Sequence, residues 1–237
     1  MKAGRPPDEA HRTAERVYHR LMHPWPKTAA EAEEIQRRLR PRVSFTGPDR
    51  FGTVAGLDVH YRGDDELSAA VVVLDARSLQ VVDQALVHGE AAFPYVPGLF
   101  AFREIPALVQ ALERLSKAPE LLVCDGHGLA HPRRFGLACH LGVLTGLPSV
   151  GVGKTPFVGE FDDPAPARGS WSPIVLDGEV VGRVLRTQPT VRPVFVSPGH
   201  RISLETACEQ VLRCAPRYRL PEPIRLADHL ARYGTVS

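Results

Sequence analysis

The chain is poor in lysine. Only Lys2, Lys27, Lys117 and Lys154 stand against 25 arginines in 237 residues. Arginine grips phosphate through a planar fork, but the same bias also arises from genome base composition, so it excludes nothing by itself. Cysteine is scarce too. Cys124, Cys139, Cys208 and Cys214 form no CxxC pair and no regular framework, which excludes a zinc ribbon and a disulfide scaffold and points to reduced thiols in a cytoplasmic protein. No apolar run approaches 18 residues and the first forty residues are charged throughout. A membrane span and a secretory signal are therefore not expected. Charge of one sign is also missing: 29 basic against 27 acidic residues leave a net charge of +2. A surface for a polyanion must be local. There is no internal repeat and no low-complexity stretch.

What is present is an ordinary globular composition, 43% hydrophobic and 24% charged, of a length that fits one domain over 1–237. Residues 1–50 read as a peripheral helical segment, with one or two helices over 8–40 broken at His23-Pro24-Trp25-Pro26, because proline removes backbone donors. A core over 51–233 follows. Val54–Tyr61, Leu67–Leu74 and Leu79–Val87 are expected strands joined by short turns, hence an antiparallel meander. Apolar positions at helical spacing from Leu99 to Leu115 predict a helix. A strand at Leu121–Asp125, a helix over Gly136–Thr145 and a strand at Ser149–Val152 then make a strand-helix-strand unit. Ile174–Leu176, Glu179–Arg186 and Val194–Val196 read as strands, with Asp177-Gly178 as a hairpin turn and Asp162–Gly169 as an exposed loop. Helices over Ser203–Leu212 and Pro223–Tyr233 close the chain. The class is α/β: a mixed sheet, with a three-stranded antiparallel meander plus parallel strands, and helices on both faces.

Two carboxylates stand out. Asp58 lies inside an apolar strand, where an unpaired charge is costly, and Asp125 ends a second apolar strand just before Gly126. Two such groups converging from neighbouring strands form a hard-oxygen site suited to Mg2+ or Mn2+; each Asp could instead cap a turn or pair with an arginine. Glu104, read alone, is an acid favoured by a helix N-terminus. His127 and His131 are spaced like a zinc pair, but Gly126, Gly128 and Pro132 place them on a loop and no HExxH pattern is present. A loop histidine beside Asp125 suits proton transfer or phosphate contact, or is plain surface. Val152-Gly153-Lys154-Thr155 imitates the end of a nucleotide-binding loop. Pro148 stands where that motif needs its first glycine, and Pro156-Phe157 follow instead of a helix, so an ATPase is excluded. Lys154 still points a cation towards the sheet edge that holds Asp125. Pro94-Tyr95-Val96-Pro97 is a stiff turn, either a helix entry or a wedge for the gap an extruded base leaves.

In this order, Val54-Ala-Gly-Leu-Asp-Val59, Pro94-Tyr-Val-Pro-Gly98, Phe102-Arg-Glu104, Val123-Cys-Asp-Gly-His-Gly128, His131-Pro-Arg-Arg134, Gly151-Val-Gly-Lys154, Ser197-Pro-Gly-His-Arg201 and Arg219-Leu-Pro-Glu-Pro223 resemble the endonuclease V family. These are deoxyinosine-directed repair nucleases with a ribonuclease H-like fold. The resemblance runs from about Val54 to Leu230, and nothing is carried over to the segment before residue 50. It implies that Asp58, Asp125 and Glu104 are ligands to Mg2+, with Mn2+ as a substitute. It makes Glu104 part of the acidic site, against the residue-only reading. It implies that His131 and Lys154 contact substrate or transition state, and that Tyr95, with Pro94, Val96 and Pro97, forms the wedge. Gly98, Gly126 and Gly136 would let backbone approach extruded hypoxanthine, with His127 beside them. His229 falls where some relatives carry an active-site histidine, although Asp228 competes for that role. The implied reaction is hydrolysis of the second phosphodiester 3′ to deoxyinosine, leaving the base in place. The partner is DNA, with inosine-containing RNA as a further candidate, and the expected state is a monomer. The rivals are a ribonuclease H-like enzyme reading flaps, mismatches or hybrids, and a non-catalytic nucleic-acid-binding protein.

Overall fold

Apolar side chains that alternate across each strand need cover on both faces, and a computed structural model, which describes residues 24–236, shows how they obtain it. Eight strands form one sheet: β1 (Thr53–Arg62), β2 (Glu66–Asp75), β3 (Val81–Glu90), β4 (Leu121–Asp125), β5 (Ser149–Gly153), β6 (Trp171–Leu176), β7 (Glu179–Leu185) and β8 (Val194–His200). Their spatial order is β3-β2-β1-β4-β5-β8-β7-β6. The β1–β4 and β4–β5 pairs are parallel and all others antiparallel. The expected meander and mixed sheet are both present.

Val54, Val72, Leu121, Val123 and Val150 point to one face, where helices α4 (Leu204–Cys214) and α5 (Glu222–Tyr233) cover them with Val211, Ile224 and Leu230. The alternate residues Ala55, Leu57, Val71, Leu122 and Cys124 point to the other face, under α2 (Ala101–Glu113) and α3 (Leu137–Thr145). All four cysteines are buried free thiols in these layers, where they pack as small hydrophobes. No helix among the described residues is long and apolar enough to cross a membrane.

The hairpin turn is as expected. Leu176 pairs with Glu179, and Asp177 and Gly178 both take positive φ, 51° and 80°, the geometry a two-residue turn requires. Two strands run three or four residues longer than expected. β6 starts at Trp171, and β8 continues through Ser197-Pro198-Gly199 to His200. Pro198 survives in β8 because the register with β5 shifts there, Ser149 pairing with His200 and Val150 with Pro198, so the missing donor falls at a bulge.

Within the segment before residue 50, the described residues 24–50 pack against the core. Any helix before Pro24 lies outside the described residues. Helix α1 (Ala29–Leu39) starts at Thr28, whose side chain accepts from the Glu31 amide while Glu31 reaches back, a full capping box. Its buried face, with Ala32, Ile35 and Leu39, packs with Phe93, Leu99, Phe102 and Phe135. Trp25 does a specific job. Pro106 sits inside α2 and cannot donate to the Phe102 carbonyl, and the Trp25 indole N–H takes its place at 3.1 Å.

Candidate active site

Leu57 and Cys124 are the last parallel pair of β1 and β4, so the next residues, Asp58 and Asp125, lie side by side at the carboxyl end of the sheet. Alternation turns both away from the α2 face and towards α5. A side-chain hydrogen bond joins them. Burial, the Asp125 hydrogen bond and the Asp125 charge together push the Asp58 carboxyl far above its ordinary range. Glu104, in the first turn of α2, lines the same cleft. It is 4% exposed, and burial, then the charges of Asp58 and Asp125, raise its pKa strongly. Lys154, just beyond β5, puts its ammonium on Asp125 Oδ2. Burial opposes that charge, but Asp125 outweighs it, and the lysine pKa ends above its ordinary value.

These groups form one end of a cleft of about 440 Å³. The other end is built from two loops. Tyr95, Val96, Pro97 and Gly98 line one side; Gly126, His127, His131 and Gly136 line the other. Tyr95 is 70% exposed, edge-on to Phe100. Gly136 must lack a side chain, since a Cβ there would stand 2.4 Å from the His127 carbonyl oxygen. Phe157 covers the rim, its ring 5.6 Å from His127 and 5.5 Å from His131.

The fold thus gathers Asp58, Glu104, Asp125, His127, His131, Lys154, Tyr95, Val96, Pro97, Gly98, Gly126 and Gly136 around one cavity. Pro94 and His229 do not line it. The His229 ring bonds through Nδ1 to the Thr235 carbonyl and packs on Tyr233. Its neighbour Asp228, held by Arg232 at 2.8 Å, instead acts electrostatically on both Asp58 and Lys154. His131 is engaged on both nitrogens: Nε2 meets the Gly98 carbonyl at 2.9 Å and Nδ1 accepts from the Arg133 amide at 3.2 Å. Burial, then Arg133, pushes its pKa down to about 4, so the ring is neutral at pH 7. In this arrangement it holds the Gly98 turn.

Three further residues had no role in the sequence analysis, Arg219 standing there only within a matched motif. The Tyr61 hydroxyl donates to Glu104 Oε1 at 3.3 Å. Arg219 gathers the carbonyls of Lys154, Pro193 and Arg192 at 2.6, 2.9 and 3.0 Å and fixes the strand end that carries Lys154. Gln36 of α1 lines the cleft from beneath. None leaves a local pattern, because each acts on residues remote in sequence.

The donor set fits a hard divalent cation. Three carboxylates line this end of the cleft, and burial first, then their mutual charge, raises the pKa of two of them, a condition a bound 2+ charge would relieve. Among the described residues no three His, Cys, Asp or Glu side chains are gathered closely enough to hold a metal ion; the Lys154 ammonium holds the Asp125 oxygen.

Comparison with known proteins agrees with this geometry. The sequence model of the family described as Endonuclease V matches residues 33–229, so the likeness begins inside α1, well before the Val54 expected from the motifs. Endonuclease V of Roseiflexus castenholzii is 55% identical over 217 residues, covering 90% of this chain and 96% of its own. The crystal structure of Endonuclease V from Streptomyces avermitilis superposes with a TM-score of 0.85 at 53% identity, covering 89% of this chain and 94% of its own. Endonuclease V from Ciona intestinalis, solved in complex with a 24mer DNA containing an inosine followed by a ribo-adenosine, superposes with a TM-score of 0.75 at 29% identity, covering 86% and 96%. Sequence, sheet topology and cleft together place this chain in the endonuclease V family, and it is a nuclease.

Proposed function

We propose that the chain is a Mg2+-dependent DNA repair endonuclease that recognises deoxyinosine and hydrolyses the second phosphodiester 3′ to it, leaving the base in place. Inosine in RNA is a second substrate in this reading, and the chain acts as a monomer in the cytoplasm. The observation that carries the proposal is the pairing, in one cleft, of a three-carboxylate end with a two-loop end fronted by an exposed, proline-stiffened Tyr95. The inosine-containing DNA bound by the Ciona relative supports the choice of lesion.

Asp58, Asp125 and Glu104 would hold the cation. When bound, Mg2+ supplies an activated water and neutralises charge on the scissile phosphate. Tyr95, braced by Pro94 and Pro97, fills the space of the displaced base. The extruded base enters the pocket between the two loops, where Gly98, Gly126 and Gly136 allow backbone to approach it. Lys154, released from Asp125, turns its ammonium to the phosphate. Asp228 completes the negative field that keeps Lys154 charged.

The test is incision of a defined duplex with a single inosine in Mg2+, Mn2+ or EDTA, mapping product lengths. A metal-dependent cut directly on the 3′ side of the lesion's 3′ neighbour is expected. Equal cutting of an undamaged, flap or hybrid substrate at matched salt would sink the lesion assignment.

A further inference from the structure

Helix α1 carries a glutamine where its neighbours on the buried face are Ala32, Ile35 and Leu39. Gln36 is fully buried, and a leucine would fill such a place without the need to satisfy an amide. Every polar atom of this amide is used. Nε2 donates to the carbonyls of Gly98 at 3.0 Å and Phe135 at 3.2 Å, while Oε1 accepts from Arg133 Nε. These partners fix the amide's orientation.

The two carbonyls belong to the two loops that line this end of the cleft. Gly98 ends the Pro94–Pro97 turn, and Phe135 precedes Gly136 in the pocket floor. The Gly98 oxygen also receives His131 Nε2 and Arg133 Nη2, each at 2.9 Å, so three side chains converge on one backbone oxygen. A carbonyl held from three directions cannot shift without breaking several buried hydrogen bonds at once.

We propose that Gln36 is a positioning residue that sets the separation between the Tyr95 turn and the base pocket, and that α1 is thereby part of the machinery for reading duplex DNA. The inference rests on the wedge and pocket roles given under the proposed function. Extruding a base from a paired, stacked duplex needs both loops at a fixed distance; an inosine already unpaired does not. A residue that merely secured α1 would affect all substrates alike.

The experiment compares single-turnover incision of inosine in duplex and in single-stranded DNA for the wild type and Gln36→Leu, with thermal melting recorded alongside. A 2-aminopurine placed 3′ to the inosine reports unstacking in EDTA, where cleavage is held off. The expected result is a duplex rate that falls roughly tenfold to a hundredfold further than the single-strand rate, together with a smaller 2-aminopurine signal. Arg133→Lys keeps the charge and removes the fork that grips Gln36 and Gly98. It should shift the duplex to single-strand ratio in the same direction and serves if the leucine variant does not fold. An unchanged ratio in folded variants overturns the proposal while leaving the enzyme's lesion specificity standing. A wild type that makes no cut at inosine in either substrate removes both readings.

Discussion

The two ends of the cleft are built on different principles. The acidic end rests on strands: the β1–β4 ladder alone brings Asp58 beside Asp125, and side-chain alternation aims both at α5. The loop end has no ladder beneath it. It is fixed by side chains that reach backbone carbonyls across long stretches of sequence, Gln36 to Gly98 and Phe135, His131 to Gly98, Arg103 to the Phe93 carbonyl at 2.8 Å. The first end is therefore positioned by the sheet itself and carries electrostatic strain; the second owes its shape to a few hydrogen bonds, several of them from arginines. Damage to the acidic end should cost turnover but not folding, and damage to the loop end should do either, depending on which contact is lost.

The largest effect is expected at the acidic end. Asp125→Ala should lower the rate constant for incision about a thousandfold or more with a melting temperature close to wild type, measured by single-turnover kinetics and calorimetry. A cooperative loss of folding would blur the contrast between the ends. Next comes the floor of the loop end. Gly136→Ala forces a methyl into the His127 carbonyl and should destabilise the protein by about 3 kcal/mol, read by denaturant unfolding.

The third expectation concerns the strain itself. Asp58 and Glu104 have folded-state pKa values above those of the unfolded chain. Their contribution to stability is thus fully present below the ordinary carboxylate range near pH 4 and is lost as pH rises above it. Metal-free protein should become less stable on this account from pH 5 to pH 8. Saturating Mg2+ should then raise the melting temperature by several degrees at pH 8, corresponding to about 2.7 kcal/mol at a hundredfold excess over Kd, and by less at pH 5, where protons already occupy the site. A shift of equal size at both pH values would contradict the carboxylate site. The smallest effect belongs to Tyr95→Ala. Its side chain is exposed, so stability should hold while duplex incision drops about tenfold, near 1.4 kcal/mol, leaving single-strand incision less affected.

The same contrast explains what could be read without coordinates. Asp58, Asp125 and Lys154 were legible because strand alternation and strand ends are local patterns, and the Pro94–Pro97 turn because proline declares itself. Glu104 was not legible from its own surroundings. Its helix could have faced solvent, and only family resemblance moved it to the acidic site, where the cleft now places it. The choice between Asp228 and His229 depended on how far α5 is rotated over β1, a tertiary quantity with no local signature. Gln36 and Tyr61 were invisible for a related reason, and Arg219, though inside a matched motif, showed no role: each reads as an ordinary residue until its remote partner is known. β8 was cut short at Val196 because Ser197-Pro198-Gly199 resembles a turn; the bulge opposite Ser149 that admits the proline lies on a strand far away in sequence.

The exchange between Trp25 and the Phe102 carbonyl has a practical consequence. The chain has two tryptophans. Trp25 is half-buried at the junction of α1 and α2, against the Phe102 ring at 5.4 Å, and Trp171 is half exposed on the edge strand β6 beneath the Arg183 guanidinium at 3.9 Å. Intrinsic emission therefore splits into two reporters, one at the α1–α2 junction and one on the edge strand β6. In a Trp171→Phe background the remaining light comes from the seat of the N-terminal brace alone, and a red shift would signal that the brace has lifted before the sheet has opened.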